Sequence, residues 1–288
     1  MSVSLPRKIW RVFKSMGVVG WSKKKNLLGA NPMFISSAFI LLTLALASLL
    51  RKTVHKTLSD NLIKVLLLEF LATLELCAAC FELIIVADNW GIEAYALSLF
   101  LLTIYWSSCW GNASACPYIP MEELVEGSKN LSTVGLIVLS QILGGLVTFR
   151  YVQLFWAMEL VETHRGKAFE DCAADLHVDM ITGALIEGVG TALCRITSRT
   201  LSDTNAKFVG VLDAFFSTMM VVIAFNYSGG YFNPALATSL KLGCEGNDFI
   251  EHMVVYWIGA SLGSILSVFV FKNQLLQKYF KDMPSKIE

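Results

Sequence analysis

An asparagine followed by proline, in Asn233-Pro234-Ala235, stands in the middle of hydrophobic sequence, just after Gly229-Gly230. Its chemistry is that of a helix start: Asn233 as N-cap accepts backbone N–H groups, and Pro234 suits the first helical position. The apolar run Val209 to Phe225 comes directly before it, so this helix begins at membrane depth. There it aims unpaired N–H groups and a positive dipole end at a cavity, because irregular backbone survives in a bilayer only where it lines one. The motif predicts a pore or a binding site near the midplane. Glu69 and Glu187, each inside an apolar run, also need a role, since a carboxylate in lipid is costly unless satisfied.

Other reactive residue types point less sharply. Glu75 and Glu82 are seven apart and share a helical face, so they line a vestibule, or Glu82 sits at a solvated end. Arg150, inside Leu131–Trp156, snorkels, pairs with an acid or lines a cavity. His164 and His177, with Asp171, Cys172 and Asp175, match no metal-ligand spacing and read as solvated loop residues; His55 and His252 read as interfacial. Cys77-x-x-Cys80 lies within a span and lacks a second pair, so no zinc site is expected. The seven cysteines, an odd number placed mostly in apolar runs, predict no disulfide framework. No cofactor is expected, and no constellation supports an enzyme.

The elements that must position these groups are membrane spans. The chain has 288 residues, 55% hydrophobic and 16% charged, with mean hydropathy +0.58 and no formal net charge. That excludes an ordinary soluble domain and leaves room for six or seven spans. No basic stripe with interleaved aromatics occurs, so nucleic acid is excluded as a partner. The apolar segments are Pro32–Leu50, Leu62–Ala87, Ala94–Trp110, Leu131–Trp156, Asp179–Ile196, Phe208–Asn226 and Met253–Phe271. Basic residues gather in the links at 51–64 and 195–207 and in the tail after Phe271, which the positive-inside rule places in the cytoplasm. Pro32–Leu50 is read as an embedded or peripheral helix of unresolved topology. A cleaved signal there would leave the basic 51–64 link outside.

Repetition organises the rest. Glu69 to Cys116 spans 47 positions and Glu187 to Asn233 spans 46, so Cys116-Pro117-Tyr118 and Asn233-Pro234-Ala235 are one element in two halves. Three spans per half, an odd number, makes the halves inverted, with a solute path at their interface. The expected division is 1–61 as an N-terminal extension carrying helix 32–50, 62–272 as the channel domain, and 273–288 as a cytoplasmic tail.

Over roughly Leu62 to Phe271 the sequence resembles the aquaporin (major intrinsic protein) family. The resemblance rests on Glu69-Phe70-Leu71-Ala72-Thr73, Gln141 with Gly144-Gly145, Glu187, Asn226-Tyr227-Ser228-Gly229-Gly230, Asn233-Pro234-Ala235 and Tyr256-Trp257-Ile258-Gly259. The altered first box, Cys-Pro-Tyr, is similar to the unorthodox superaquaporin, twelve-like branch. The resemblance implies an all-α membrane fold of six tilted spans and two re-entrant half-helices, a pore in each protomer, and a homotetramer in the lipid bilayer.

It also implies roles. Asn233 offers its amide NH₂ to passing water beside the dipole's positive end, while Cys116 has only a weak S–H donor in place of the second amide; a small buried thiol is the other reading of Cys116. Leu236 stands where the family has an arginine. The neighbouring filter positions fall on Gly230, Val221 and, from the second span, near Ala96. Such a constriction is wide and apolar and suits water and small neutral solutes, glycerol-like or peroxide-like. Glu69 and Glu187 brace the loops leading into the half-helices, or else sit protonated at helix interfaces. Pro117 to Glu126, with two prolines and three glutamates, is either a short helix facing a wide cytoplasmic vestibule or a distorted half of the pore. The functional classes are therefore a passive channel or a poorly conducting protein of the same fold with a structural or regulatory role. The branch implies an intracellular membrane, with the plasma membrane as the alternative.

Overall fold

A computed structural model describes residues 26, 29–203 and 208–273. The basic residues expected at 23–25 and at 207, and the tail beyond 273, lie outside the described residues. Among those described there is no strand, only an isolated bridge between Ala173 and Glu245. The helices are α1 (Pro32–Thr57), α2 (Leu62–Cys109), α3 (Tyr118–Val125), α4 (Leu131–Trp156), α5 (Met180–Ser202), α6 (Val209–Ala224), α7 (Pro234–Lys241) and α8 (Phe249–Lys272). Five of them, α1, α2, α4, α5 and α8, are long and apolar enough to cross a membrane, and α6 is a shorter apolar helix. The fold is that of an all-α, multi-pass membrane protein.

At about 1.5 Å per residue the 48 residues of α2 would run far past a hydrocarbon core of about 30 Å. Gly91 resolves this: its φ of 84° and ψ of 174° break the helix, a left-handed φ that glycine adopts without steric cost. The chain doubles back there, so that Trp110 Nε1 donates to Glu75 Oε2 at 3.1 Å. Two of the expected spans are thus the arms of α2.

Helices α2 and α4 run side by side in the same direction. Ser140 Oγ donates to the Leu66 carbonyl at 2.5 Å and Trp156 Nε1 to Glu82 Oε2 at 2.8 Å, both across 74 residues. Gly144 permits this approach, because a Cβ there would sit 2.6 Å from the Phe70 carbonyl oxygen. Helices α5 and α8 pack in the same way at a separation of 75 (184 to 259, 188 to 263), and a Cβ on Gly263 would lie 1.9 Å from the Gly188 carbonyl oxygen. Phe70 and Gly188 are the residues immediately after Glu69 and Glu187. Each carboxylate is therefore carried by a helix locked against a glycine face.

Helix α1 extends to Thr57, beyond the expected end at Leu50, because Lys52 to Thr57 continue its hydrogen bonding. It packs on α2 and α4 through Phe39, stacked on Phe155 at 4.2 Å, and Thr43, which meets the Tyr151 hydroxyl at 2.8 Å. Before α1, the Asn26 side chain accepts from Glu162 N at 3.1 Å, in the link after α4. Toward its other end Arg51, 4% exposed, pairs with Glu75 and reaches Cys109 Sγ at 3.6 Å. The helix therefore touches the bundle near both of its ends, at the link after α4 and at Glu75 of α2.

Candidate functional site

A cavity of about 460 Å³ runs between α2, α5 and α6 and past the starts of both short helices. Asp175, His177 and Asn226 line it toward one end, Arg195, Ser198 and Asp213 toward the other, and Cys116 and Asn233 lie between. Ile119, Arg195 and Ser198 also line a second cavity of about 400 Å³ that holds Glu122, Glu123 and Glu126.

Helix α7 begins as Asn-Pro dictates. Asn233 Oδ1 accepts from Ala235 N at 3.0 Å and Leu236 N at 3.3 Å, and Pro234 occupies the first turn. The amide nitrogen donates to the Ala115 carbonyl at 2.9 Å, tying this box to the other. Helix α3 begins differently: its N-cap position is Pro117, which has no side-chain acceptor to offer, and Cys116 stands one residue before it. Cys116, Tyr118 and Asn233 line the cavity, whereas Pro117, Pro234 and Ala235 are buried behind it.

Both loops entering the short helices are strained at one residue. Ala115 has φ 51° and Phe232 φ 43°, uncommon values for residues with a Cβ. Each is held by a carboxylate. Glu69 accepts from Ser114 N and Ala115 N, both at 3.0 Å, and from Gln141 Nε2 at 2.9 Å. Glu187, fully buried, accepts from Tyr231 N at 3.1 Å, Phe232 N at 2.6 Å and Ser228 Oγ at 2.7 Å. The expected braces therefore touch the loops assigned to them, and at equivalent residues.

Of the expected filter residues, Val221, Gly230 and Leu236 line the cavity. Gly230 lies against α6 so closely that a Cβ would meet the Val221 carbonyl oxygen at 2.7 Å. The fourth position is expected only near Ala96; Ala96 itself does not line the cavity, and its neighbour Tyr95 does, with its ring 5.1 Å from that of Phe225. The one-residue difference rotates the lining by about 100° on a helix, replacing a methyl group with a phenol.

Other expectations are corrected by burial. Glu75 and Glu82 line no vestibule; both are fully buried. Glu82 is bound by Trp156 Nε1 and by His164 Nε2, each at 2.8 Å, so His164 is a core residue instead of a solvated one. His252, 2% exposed, lies 3.2 Å from Thr238 Oγ1. Cys172 and Cys244 form a disulfide that no framework predicted, fastening the link after α4 to the loop after α7. Beside it Lys241 Nζ donates to Asp175 Oδ1 at 2.8 Å, and the Tyr231 hydroxyl donates to Asp175 Oδ2 at 2.5 Å. Arg150 faces outward and donates to Gln153 Oε1 at 2.9 Å.

The end of the cavity at Arg195 contains what sequence reading missed. Glu122 of α3, 2% exposed, receives Arg195 Nε and Nη2, each at 2.7 Å, and Arg199 Nη2 at 2.6 Å, and the Ser264 hydroxyl also donates to it. Asp213 faces the cavity from α6. A signal was available, since an aspartate and an arginine within apolar spans are functional candidates by default.

Comparison with known proteins agrees with the fold. No family model matches the chain. It is similar to aquaporin-11 of Milnesium tardigradum, 28% identical over 246 residues, covering 85% of this chain and 89% of that protein. It is similar to aquaporin-12 of Mus musculus, 27% identical over 217 residues, covering 73% and 75%. Among solved structures, the aquaglyceroporin from Plasmodium falciparum superposes with TM-score 0.56 and 13% identity over 76% of this chain and 98% of that one. The likeness to the superaquaporins read from the sequence is therefore found over most of the chain, on an aquaporin-like fold.

Proposed function

We propose that this protein is a passive transmembrane channel for water and small neutral solutes, glycerol-like or peroxide-like. One observation carries the reading: a single cavity passes both half-helix starts, with the Asn233 amide at its middle and ionic groups toward its two ends. Helix N-termini present N–H donors and a positive dipole end to whatever occupies that point. A neutral molecule that turns an oxygen toward them is stabilised there, and a cation is repelled. The two helix sets packed at separations of 74 and 75, each with its own brace and strained residue, support the inverted-repeat reading.

The filter is apolar on three sides at Val221, Gly230 and Leu236, with one phenol at Tyr95. It lacks the family's arginine, which favours solutes broader than water alone. The Cys172–Cys244 disulfide suits an oxidising compartment. That orients its end of the cavity to the lumen or exterior, opposite the basic 51–64 and 195–203 segments, as the positive-inside rule requires. An intracellular membrane and a homotetramer belong to the same proposal, as what the resemblance to the superaquaporin branch implies. Swelling of proteoliposomes in water, glycerol and peroxide gradients tests the channel. Rates above those of empty liposomes are expected; rates equal to theirs favour the poorly conducting alternative.

A further inference from the structure

We infer that Arg195, Asp213 and Thr218 form a hydrogen-bonding station for polyhydric alcohols at the inner end of the cavity, and that this station sets solute preference. The inference rests on the channel reading and names its solute class. All three residues line the cavity. Arg195 is fixed from behind, because Glu122 engages Nε and Nη2 and leaves Nη1 without a protein hydrogen bond. On the next turn of α5 the Ser198 hydroxyl donates to Asp213 Oδ2 at 3.3 Å. This places the aspartate beside the guanidinium without a direct ion pair.

The remaining groups have no protein partner. Asp213 Oδ1 and Thr218 Oγ1 are both buried from solvent and accept or donate no hydrogen bond within the protein, and Thr218 is only 7% exposed. Both residues line the cavity, and a buried polar group left unsatisfied is destabilising, so a side-chain rotation that presents either oxygen to an occupant's hydroxyl group is favoured. The complement is specific. Nη1 needs an acceptor, Asp213 Oδ1 needs a donor, and the threonine hydroxyl takes either role. A molecule with neighbouring hydroxyl groups supplies acceptor and donor together, and the apolar walls at Ile119 and Val221 suit its carbon backbone. The cationic head group that Leu236 removes from the outer filter is thus present deeper in the conduit, on another helix.

Arg195 also anchors α3, so the tests fall on its neighbours. Thr218→Val keeps shape and loses the hydroxyl, and Asp213→Leu removes the unpaired carboxylate. In proteoliposomes each should lower the glycerol-to-water permeability ratio by roughly 2- to 10-fold, the worth of one or two hydrogen bonds. Asp213→Leu should at the same time raise thermal stability, which no simple loss of structure would do. A second readout does not need conduction: Cys194 lines the same end of the cavity as a free thiol. Glycerol should slow its alkylation, followed by peptide mass spectrometry, in the wild type and not in Asp213→Leu. A wild type that conducts nothing yet shows this protection keeps the station and overturns the channel reading. An unchanged flux ratio in folded variants, or glycerol protection that is absent or survives Asp213→Leu, overturns the station.

Discussion

Replacing Glu187 with alanine tests whether a carboxylate holds the second half-helix open. The side chain is fully buried and accepts from Tyr231 N, Phe232 N and Ser228 Oγ. Alanine leaves two backbone N–H groups without an acceptor, at about 1–3 kcal/mol each. Against this, Phe232 is held at φ 43°, and relaxing such a residue returns about 1–3 kcal/mol. The loop therefore has two outcomes. If it stays in place, stability falls by about 2–6 kcal/mol. If it relaxes, the net loss shrinks to roughly 1–3 kcal/mol, but Asn233, one residue on, leaves its position and transport fails. At about 2–4 °C per kcal/mol for a large domain, the smaller loss still lowers the melting temperature by about 2–12 °C. Thermal unfolding in detergent and liposome swelling should be measured together. Glu170→Ala is the control: Glu170 is exposed, and its pair with Lys167 at 2.9 Å is of the surface kind that contributes little. Unchanged melting and unchanged flux in Glu187→Ala would refute the brace.

Three further outcomes are expected. Asn233→Asp puts a negative charge at the start of α7 and should raise cation leak, measured as proton or sodium flux into liposomes; an ion-tight variant with normal swelling removes Asn233 from the conduction path. Arg51→Met should destabilise by about 3–5 kcal/mol because Glu75 is left charged and buried, while Arg51→Met with Glu75→Met recovers most of that; additive losses in a double-mutant cycle would show the pair to be unimportant. Gly263→Val must push α8 off the Gly188 carbonyl, since even a Cβ would lie 1.9 Å from it, and should abolish folded protein on size exclusion; normal elution would contradict the packing.

The fold was legible where a pattern was forced by the bilayer. Long apolar runs, two half-helix starts at matched spacing and two intramembrane glutamates gave the architecture, because lipid leaves few other ways to satisfy a backbone. Legibility ended where partners are distant in sequence. Glu82 and His164 are 82 positions apart, and Cys172 and Cys244 are 72 apart; no local pattern joins them. The second-span position could be set only near Ala96 for a different reason: no motif sets the phase of the second arm of α2, and one step turns a side chain by about 100°. Asp213 and Arg195 were visible as charges within apolar spans but not as neighbours, since their approach depends on how α5 and α6 pack.

The two half-helices also show why one box tolerates cysteine. Asn233 performs two tasks in α7: it caps the helix through Oδ1 and crosses to Ala115 through its amide. Helix α3 has Pro117 at its N-cap and no side-chain cap, so it is held by other anchors. It has them at its far end, where Glu122 binds Arg195, Arg199 and Ser264 from α5 and α8, and at its near end, where Glu69 fixes Ala115. The acidic residues that look misplaced in a segment dipping into a membrane are what attach it. Helix α3 can then dispense with the capping amide, and with it the second strong donor in the conduit. What remains at that point is a thiol, a smaller and less polar group. Cys116, Asn233 and Arg195 all line the cavity, and one strong amide beside a thiol offers a passing water fewer strong donors than two amides would. On the channel reading proposed above, the same positions that weaken water orientation are the ones expected to admit larger neutral solutes.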